Sequence, residues 1–175
     1  HADRSELLKS AQRIKDPIQD AEYKKISESL KKYSIDWSQG QTEAKTGLHA
    51  KITDNKGSVA GNKMKVTVKV KNTTDQPFYQ VHGITHSKTP LFDQKEFLFG
   101  KIAPGKEVER EVLFDIPKDV VTRKDLMTME LRDYRREKIS DLDIPLDIKG
   151  LGRPRFAHLV TLDDAKSGSG DGKIQ

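Results

Sequence analysis

The sequence predicts a mainly β protein, an immunoglobulin-like antiparallel β-sandwich preceded by a short helical segment. Two observations carry this. The spacing of apolar residues changes from helical to alternating near residue 47, and seven or eight short alternating runs then follow, separated by Pro, Gly and Asn turn signals. The hydrophobic fraction is only 34%, equal to the charged fraction, which fits a layered core in which every second strand residue is apolar. A small barrel is the alternative. The 175 residues suffice for one domain of about 100–150 residues and a flanking segment. The expected organisation is a helical lead-in over 1–38, a linker over 39–46, the sandwich over 47–162 and a flexible Gly/Ser/Asp-rich linker over 163–175.

Residues 4–33 read as helix. Leu7, Leu8, Ala11 and Ile14 share one face. Asp16-Pro17 then gives a cap with proline in the first turn of a second helix, whose apolar residues are Ile18, Ala21, Ile26, Leu30 and Tyr33. The pattern predicts a helical hairpin packed on a neighbour. Trp37 is the only tryptophan, and its large apolar area makes it the expected pin between helices and sandwich.

Leu48, Ala50 and Ile52 alternate with His49 and Lys51, and Asn55-Lys56-Gly57 and Gly61-Asn62 are turns. Met64, Val66, Val68 and Val70 alternate with lysines and Thr67 in the cleanest strand, one face in the core and the other in water. Phe78 to Ser87 is the next, with Phe78, Gln80, His82 and Ile84 set against Tyr79, Val81 and Gly83. A short strand holds Phe97 to Ile102. Pro104-Gly105 then turns the chain into Val108 to Ile116. Leu126 to Leu131 and Ile144 to Ile148 follow, and Phe156 to Leu162 is the last candidate. Pro145 favours an edge position for its strand, because proline donates nothing to a ladder.

Three stretches, taken together, resemble a family: Ser34-Ile35-Asp36-Trp37-Ser38 after an amphipathic helix; the run from Val66-Thr67-Val68-Lys69-Val70-Lys71-Asn72-Thr73 through Leu98-Phe99-Gly100-Lys101-Ile102-Ala103-Pro104-Gly105; and Arg153-Pro154-Arg155-Phe156-Ala157 leading into Asp163-Asp164 and Gly170-Asp171-Gly172. Their order resembles the region after the protease core in large bacterial carboxy-terminal processing proteases, also called tail-specific proteases. The resemblance implies an envelope or periplasmic serine peptidase as parent. PDZ and Ser/Lys protease domains would be the partners on the same polypeptide, a peptide or protein the substrate, and this piece an accessory domain. The family's catalytic Ser and Lys do not carry over, since their motifs do not occur in this chain. The tail resembles the start of a further sandwich domain. The other expectation is a free-standing envelope binding or adhesion domain. The opening His1-Ala2, without Met, leads to the expectation of a segment excised from a longer protein.

The chain is expected to be non-catalytic, with no cofactor. Without cysteine there is no disulfide, thiolate metal site or Cys nucleophile. No G-x-S-x-G elbow occurs, and Ser87 and His86, as strand neighbours, point to opposite faces. His82 and His86 share a face about 13 Å apart, too far for one metal ion. Asp163, Asp164 and Asp171 are weak calcium candidates among glycines, but their spacing departs from the EF-hand pattern, so a solvated linker is the plainer expectation. Asp141, Asp143 and Asp147 after Arg132, Arg135 and Arg136 read as charge pairing on a loop. The net charge of +5 comes from interspersed signs with no basic stripe among aromatics, so no nucleic-acid partner is expected. No apolar run of 18 residues would span a membrane. Lys63, Lys65, Lys69 and Lys71 line one strand face, where they guard against aggregation or meet an acidic partner. Phe78, Tyr79 and Phe92, beside Pro77 and Pro90, are the candidate interaction aromatics, with core as the plainer assignment.

Overall fold

A computed structural model describes residues 19–152. Eight strands follow a helix, α1, whose described turns cover residues 19–31. The strands are β1 (Leu48–Asp54), β2 (Ser58–Val59), β3 (Lys63–Asn72), β4 (Phe78–Ser87), β5 (Glu96–Ile102), β6 (Glu107–Asp115), β7 (Arg123–Arg132) and β8 (Lys138–Lys149). They form a β-sandwich, with one sheet in the order β1-β3-β6 and the other in the order β2-β8-β7-β4-β5. This is the immunoglobulin-like arrangement, a three-strand sheet facing a four-strand sheet, with β2 added in parallel to β8. The two-residue β2 lies between the two predicted turns, too short to show alternation. The candidate strand Phe156 to Leu162 lies outside the described residues.

The core is what alternation places between the sheets. Met64, Val66, Val68 and Val70 from β3 are fully buried, as are Met127, Met129 and Leu131 from β7 and Ile144 and Ile148 from β8. Phe92, in the β4–β5 connection, meets Phe114 edge-on, with ring centroids 5.2 Å apart.

β4 departs from the alternation the sequence predicts. Phe78 is buried, but so are Val81, Gly83 and Thr85, while His82, Ile84 and His86 face outward. Phe78 pairs with Ile102 and Val81 with Gly100, so β4 carries one more residue than β5 between those pairs. That extra residue is a β-bulge, which exchanges the inward and outward sides of the strand. Gln80, inside the bulge, has φ 52°.

α1 ends in a Schellman turn: Ile35 N–H donates to Leu30 O (3.1 Å) and Ser34 N–H to Lys31 O (3.0 Å), with Ser34 at φ 58°. The half-buried residues of the helix are Tyr23, Ser27 and Leu30, so Leu30 is the member of the predicted stripe that turns inward among the described residues. Ile26 and Tyr33 stay 52% and 74% exposed, and Ala21 is exposed too. The anchor is Ile35, 8% exposed, just past the helix end, and the Tyr23 hydroxyl donates to Trp37 O. Ile18 and the first predicted helix lie outside the described residues.

The stretch 39–46, polar as a linker would be, has no regular element and is nevertheless fastened to the sandwich at Thr42, Glu43 and Ala44. Together with residues 34–38 it forms a belt across one end of the sandwich. At one side Lys101 N–H donates to Asp36 O (2.7 Å), and Arg110 Nη2 reaches Ser34 O (2.9 Å). At the other, Gln76 Oε1 accepts from Glu43 N–H (2.9 Å) and Ala44 N–H (3.3 Å), and Arg135 Nη2 reaches Ala44 O (2.7 Å). Gly100 makes the first attachment, because its φ is +78° and a Cβ there would overlap Asp36 O. Gly100→Ala is expected to cost about 2 kcal/mol through backbone strain and this overlap. Urea unfolding measures the loss, and faster protease cleavage within 35–46 would show the belt released.

Candidate functional site

The outer face of the five-stranded sheet carries a cleft of about 550 Å³, roofed by Tyr23 and Trp37. Cross-strand register builds its floor. His82 on β4 stands opposite Arg132 on β7 and Leu98 on β5, and Ile84 opposite Glu130 and Glu96. The bulge turns these β4 side chains outward. A second hollow of about 440 Å³, lined by Gln39, Gly40, Gln41, Gln80 and Tyr134, shares three of those residues with the first, so the two form one groove along the belt.

His82 Nδ1 lies 2.9 Å from Gln80 O. A carbonyl only accepts, so Nδ1 carries the proton and Nε2 is left as acceptor in the neutral ring. The Trp37 and His82 rings are 6.3 Å apart and tilted. Tyr134 Oη accepts from Thr42 N–H (3.4 Å), which leaves its own proton free to donate.

The charges around the groove are largely paired. Arg132 Nη2 donates to Glu130 Oε2 (2.7 Å) and Nη1 to Arg136 O (3.3 Å). That bond, with the charges of His86, Arg132 and Lys138, holds the Glu130 carboxyl below its usual value of 4.5, against the opposing effect of burial. A lowered folded pKa means that the stabilisation is complete above the unfolded value and is lost as pH falls through the folded one. Stability should therefore drop on acidification below pH 4.5 more steeply in the parent protein than in Glu130→Gln. Urea midpoints across the acid range test this. Asp133 is fully buried and accepts from Arg135 through both carboxylate oxygens, with Nη2 at 2.7 Å. That bond holds the Arg135 guanidinium above its ordinary pKa, while burial alone pulls Arg110 below it.

The sequence candidates fall as follows. Phe78 and Phe92 are 0% exposed and belong to the core, so neither offers an interaction surface. Phe78 opens β4 on the inward side, and Phe92 folds back over the sandwich end. Tyr79 is half-buried, with the Lys101 ammonium 5.3 Å from its ring centre and Gly40 packed on the ring. Asp163, Asp164 and Asp171 lie outside the described residues, and among the described residues no group of three His or acidic side chains is placed to hold a metal. Ser87 Oγ donates to Leu126 O (2.8 Å) and accepts from Thr89 N–H (3.2 Å), a turn-fastening role.

Asp141, Asp143 and Asp147 lie on β8, not on a loop. Arg132 and Arg135 of the basic run pair instead with Glu130 and Asp133. The lysine face of β3 meets acids on the neighbouring strands: Lys63 with Asp115, its register partner, at 3.7 Å, and on the diagonal Lys69 with Glu107 of β6 at 3.2 Å and Lys65 with Asp54 of β1 at 3.3 Å. It is a charge ladder within the sheet rather than an open basic patch. Sequence reasoning missed the groove residues Gln39, Gln80 and Tyr134. The available signal was Trp37 beside a glutamine-rich stretch, together with an aromatic between arginines.

No family model and no curated protein matches this chain. Solved structures give low-identity likenesses. Red sea bream transglutaminase is 12% identical, with 60% of this chain and 15% of that one covered and a TM-score of 0.47. A Niemann-Pick type C2 protein from Japanese carpenter ant is 15% identical, with 65% and 98% covered and a TM-score of 0.40. The N-terminal domain of PorA is 14% identical, with 60% and 99% covered and a TM-score of 0.42. The chain therefore spans a small part of the transglutaminase and nearly the whole of the other two. The β-sandwich is established by this chain's own strand pairing.

Proposed function

We propose that this chain is a non-catalytic β-sandwich module that positions a tail-specific serine protease, or its substrate, in a bacterial envelope compartment. The belt is the observation that supports this best. It fastens the region leading out of α1 to both flanks of one sandwich end, through Lys101 and Arg110 at one side and Gln76 and Arg135 at the other. A piece joined through such a belt keeps a fixed orientation to the sandwich, as a spacer requires. The protease parent rests on the family resemblance of residues 34–38 and 66–105. No helix among the described residues is long and apolar enough to cross a membrane.

The test uses the full-length gene product. Replacing residues 19–152 by a flexible linker is expected to leave hydrolysis of a small unstructured peptide within about twofold. Hydrolysis of a folded protein substrate should fall about tenfold or more. Equal losses on both substrates, or a gene product without a Ser/Lys protease, would overturn the proposal. So would peptide turnover by the purified chain that a single Ser→Ala substitution removes.

A further inference from the structure

We infer that the groove between the belt and the outer face of the five-stranded sheet is a binding site for an uncharged oligosaccharide. This goes beyond the positioning role and does not depend on a protease being attached.

The lining has the mixed character of a sugar. Trp37 and Tyr134 supply apolar ring surface for the C–H faces of a pyranose. Gln39, Gln41 and Gln80 supply three carboxamides, groups that both donate and accept without charge and so match hydroxyls. Among the described residues none of the three is tied up by a protein partner. The Tyr134 hydroxyl adds a free donor and His82 Nε2 an acceptor. At about 550 Å³, the larger hollow alone falls within the range of about 300–1,000 Å³ usual for small-ligand sites.

Charge complementarity selects a neutral ligand. Two arginines, Arg132 and Arg136, stand against two carboxylates, Glu96 and Asp133. Arg132 and Asp133 are already committed to Glu130 and Arg135. An anionic chain would meet no surplus of positive charge. A peptide added as a strand would need an open edge, and the β5 edge is engaged at Lys101 N–H by Asp36 and at Leu98 O by Arg110 Nε (2.9 Å).

Trp37 is the only tryptophan and roofs the groove, so its fluorescence reports occupancy directly. The purified chain is titrated separately with cellotetraose, chitotetraose and maltotetraose, which differ in linkage and N-acetylation, and with a neutral octapeptide. At least one tetrasaccharide is expected to change Trp37 emission saturably below about 10 mM. Gln39→Ala removes an exposed carboxamide, and Gln80→Gly suits the φ of 52°. Each is expected to weaken that binding about fivefold, as for one lost hydrogen bond, with urea midpoints showing that both variants fold. No saturation with any of the three sugars would overturn the assignment. So would binding indifferent to both substitutions, or tighter binding of the octapeptide.

Discussion

Asp133→Ala is expected to lower the unfolding free energy by about 3–5 kcal/mol, the range for removing one partner of a buried ion pair. Asp133 is the one acidic residue fully buried among the described residues, and Arg135 meets it through its own N–H (2.9 Å), Nε and Nη2. Without the carboxylate, a guanidinium only 21% exposed keeps its charge and loses its counterion. The belt is affected too, since the same guanidinium donates to Ala44 O. A double variant, Asp133→Ala with Arg135→Leu, should be less destabilised than Asp133→Ala alone, because no orphaned charge remains. Urea unfolding with an unchanged m-value measures both. A loss under 1 kcal/mol for Asp133→Ala would contradict the account.

Asn72→Ala is expected to cost about 3–4 kcal/mol, because several buried polar groups lose their partner at once. Asn72, fully buried at the end of β3, donates through Nδ2 to Gln76 O (2.7 Å), Ile102 O (3.1 Å) and Ala103 O (3.3 Å). Its Oδ1 accepts from Thr74 N–H (2.9 Å) and Thr74 Oγ1 (2.8 Å). One side chain thus closes the β3–β4 turn and holds the end of β5. Asn72→Asp replaces the amide donor by a carboxylate facing three carbonyl oxygens. The new acid's pKa should rise, so this variant should gain stability as pH falls and the acid becomes a donor. Asn72→Ala should show no such pH dependence beyond the parent's, and urea midpoints at several pH values separate the two.

The strands of the sandwich were legible because each buries one side. Met64 to Val70 and Ile144 to Ile148 show it directly, and β4 begins and ends at the predicted residues. What alternation cannot convey is an inserted residue. Nothing in Phe78-Tyr79-Gln80-Val81 marks a bulge, so strict alternation sets Phe78 and Ile84 on one side although the chain sends them to opposite ones. Burial of a charge was equally illegible. Asp133 and Arg135 look like solvated loop residues until the belt arrives to accept the arginine's hydrogen bonds. The groove was hidden for the same reason, since Trp37, Gln80 and Tyr134 are far apart in sequence and meet only through the bulge and the belt.

The belt also sets how the molecule would respond to tension. Pulled from the helix side, its attachments load one after another, Ser34 and Asp36 before Thr42 and Ala44, so they peel singly at low force. The paired strands of β1 and β3 resist collectively behind them. Residues 35–47, fully drawn out, reach roughly 45 Å, and the slack they release is that reach less the span the belt already covers. A stretched chain would therefore lengthen by that increment as a fuse, with the interior still intact.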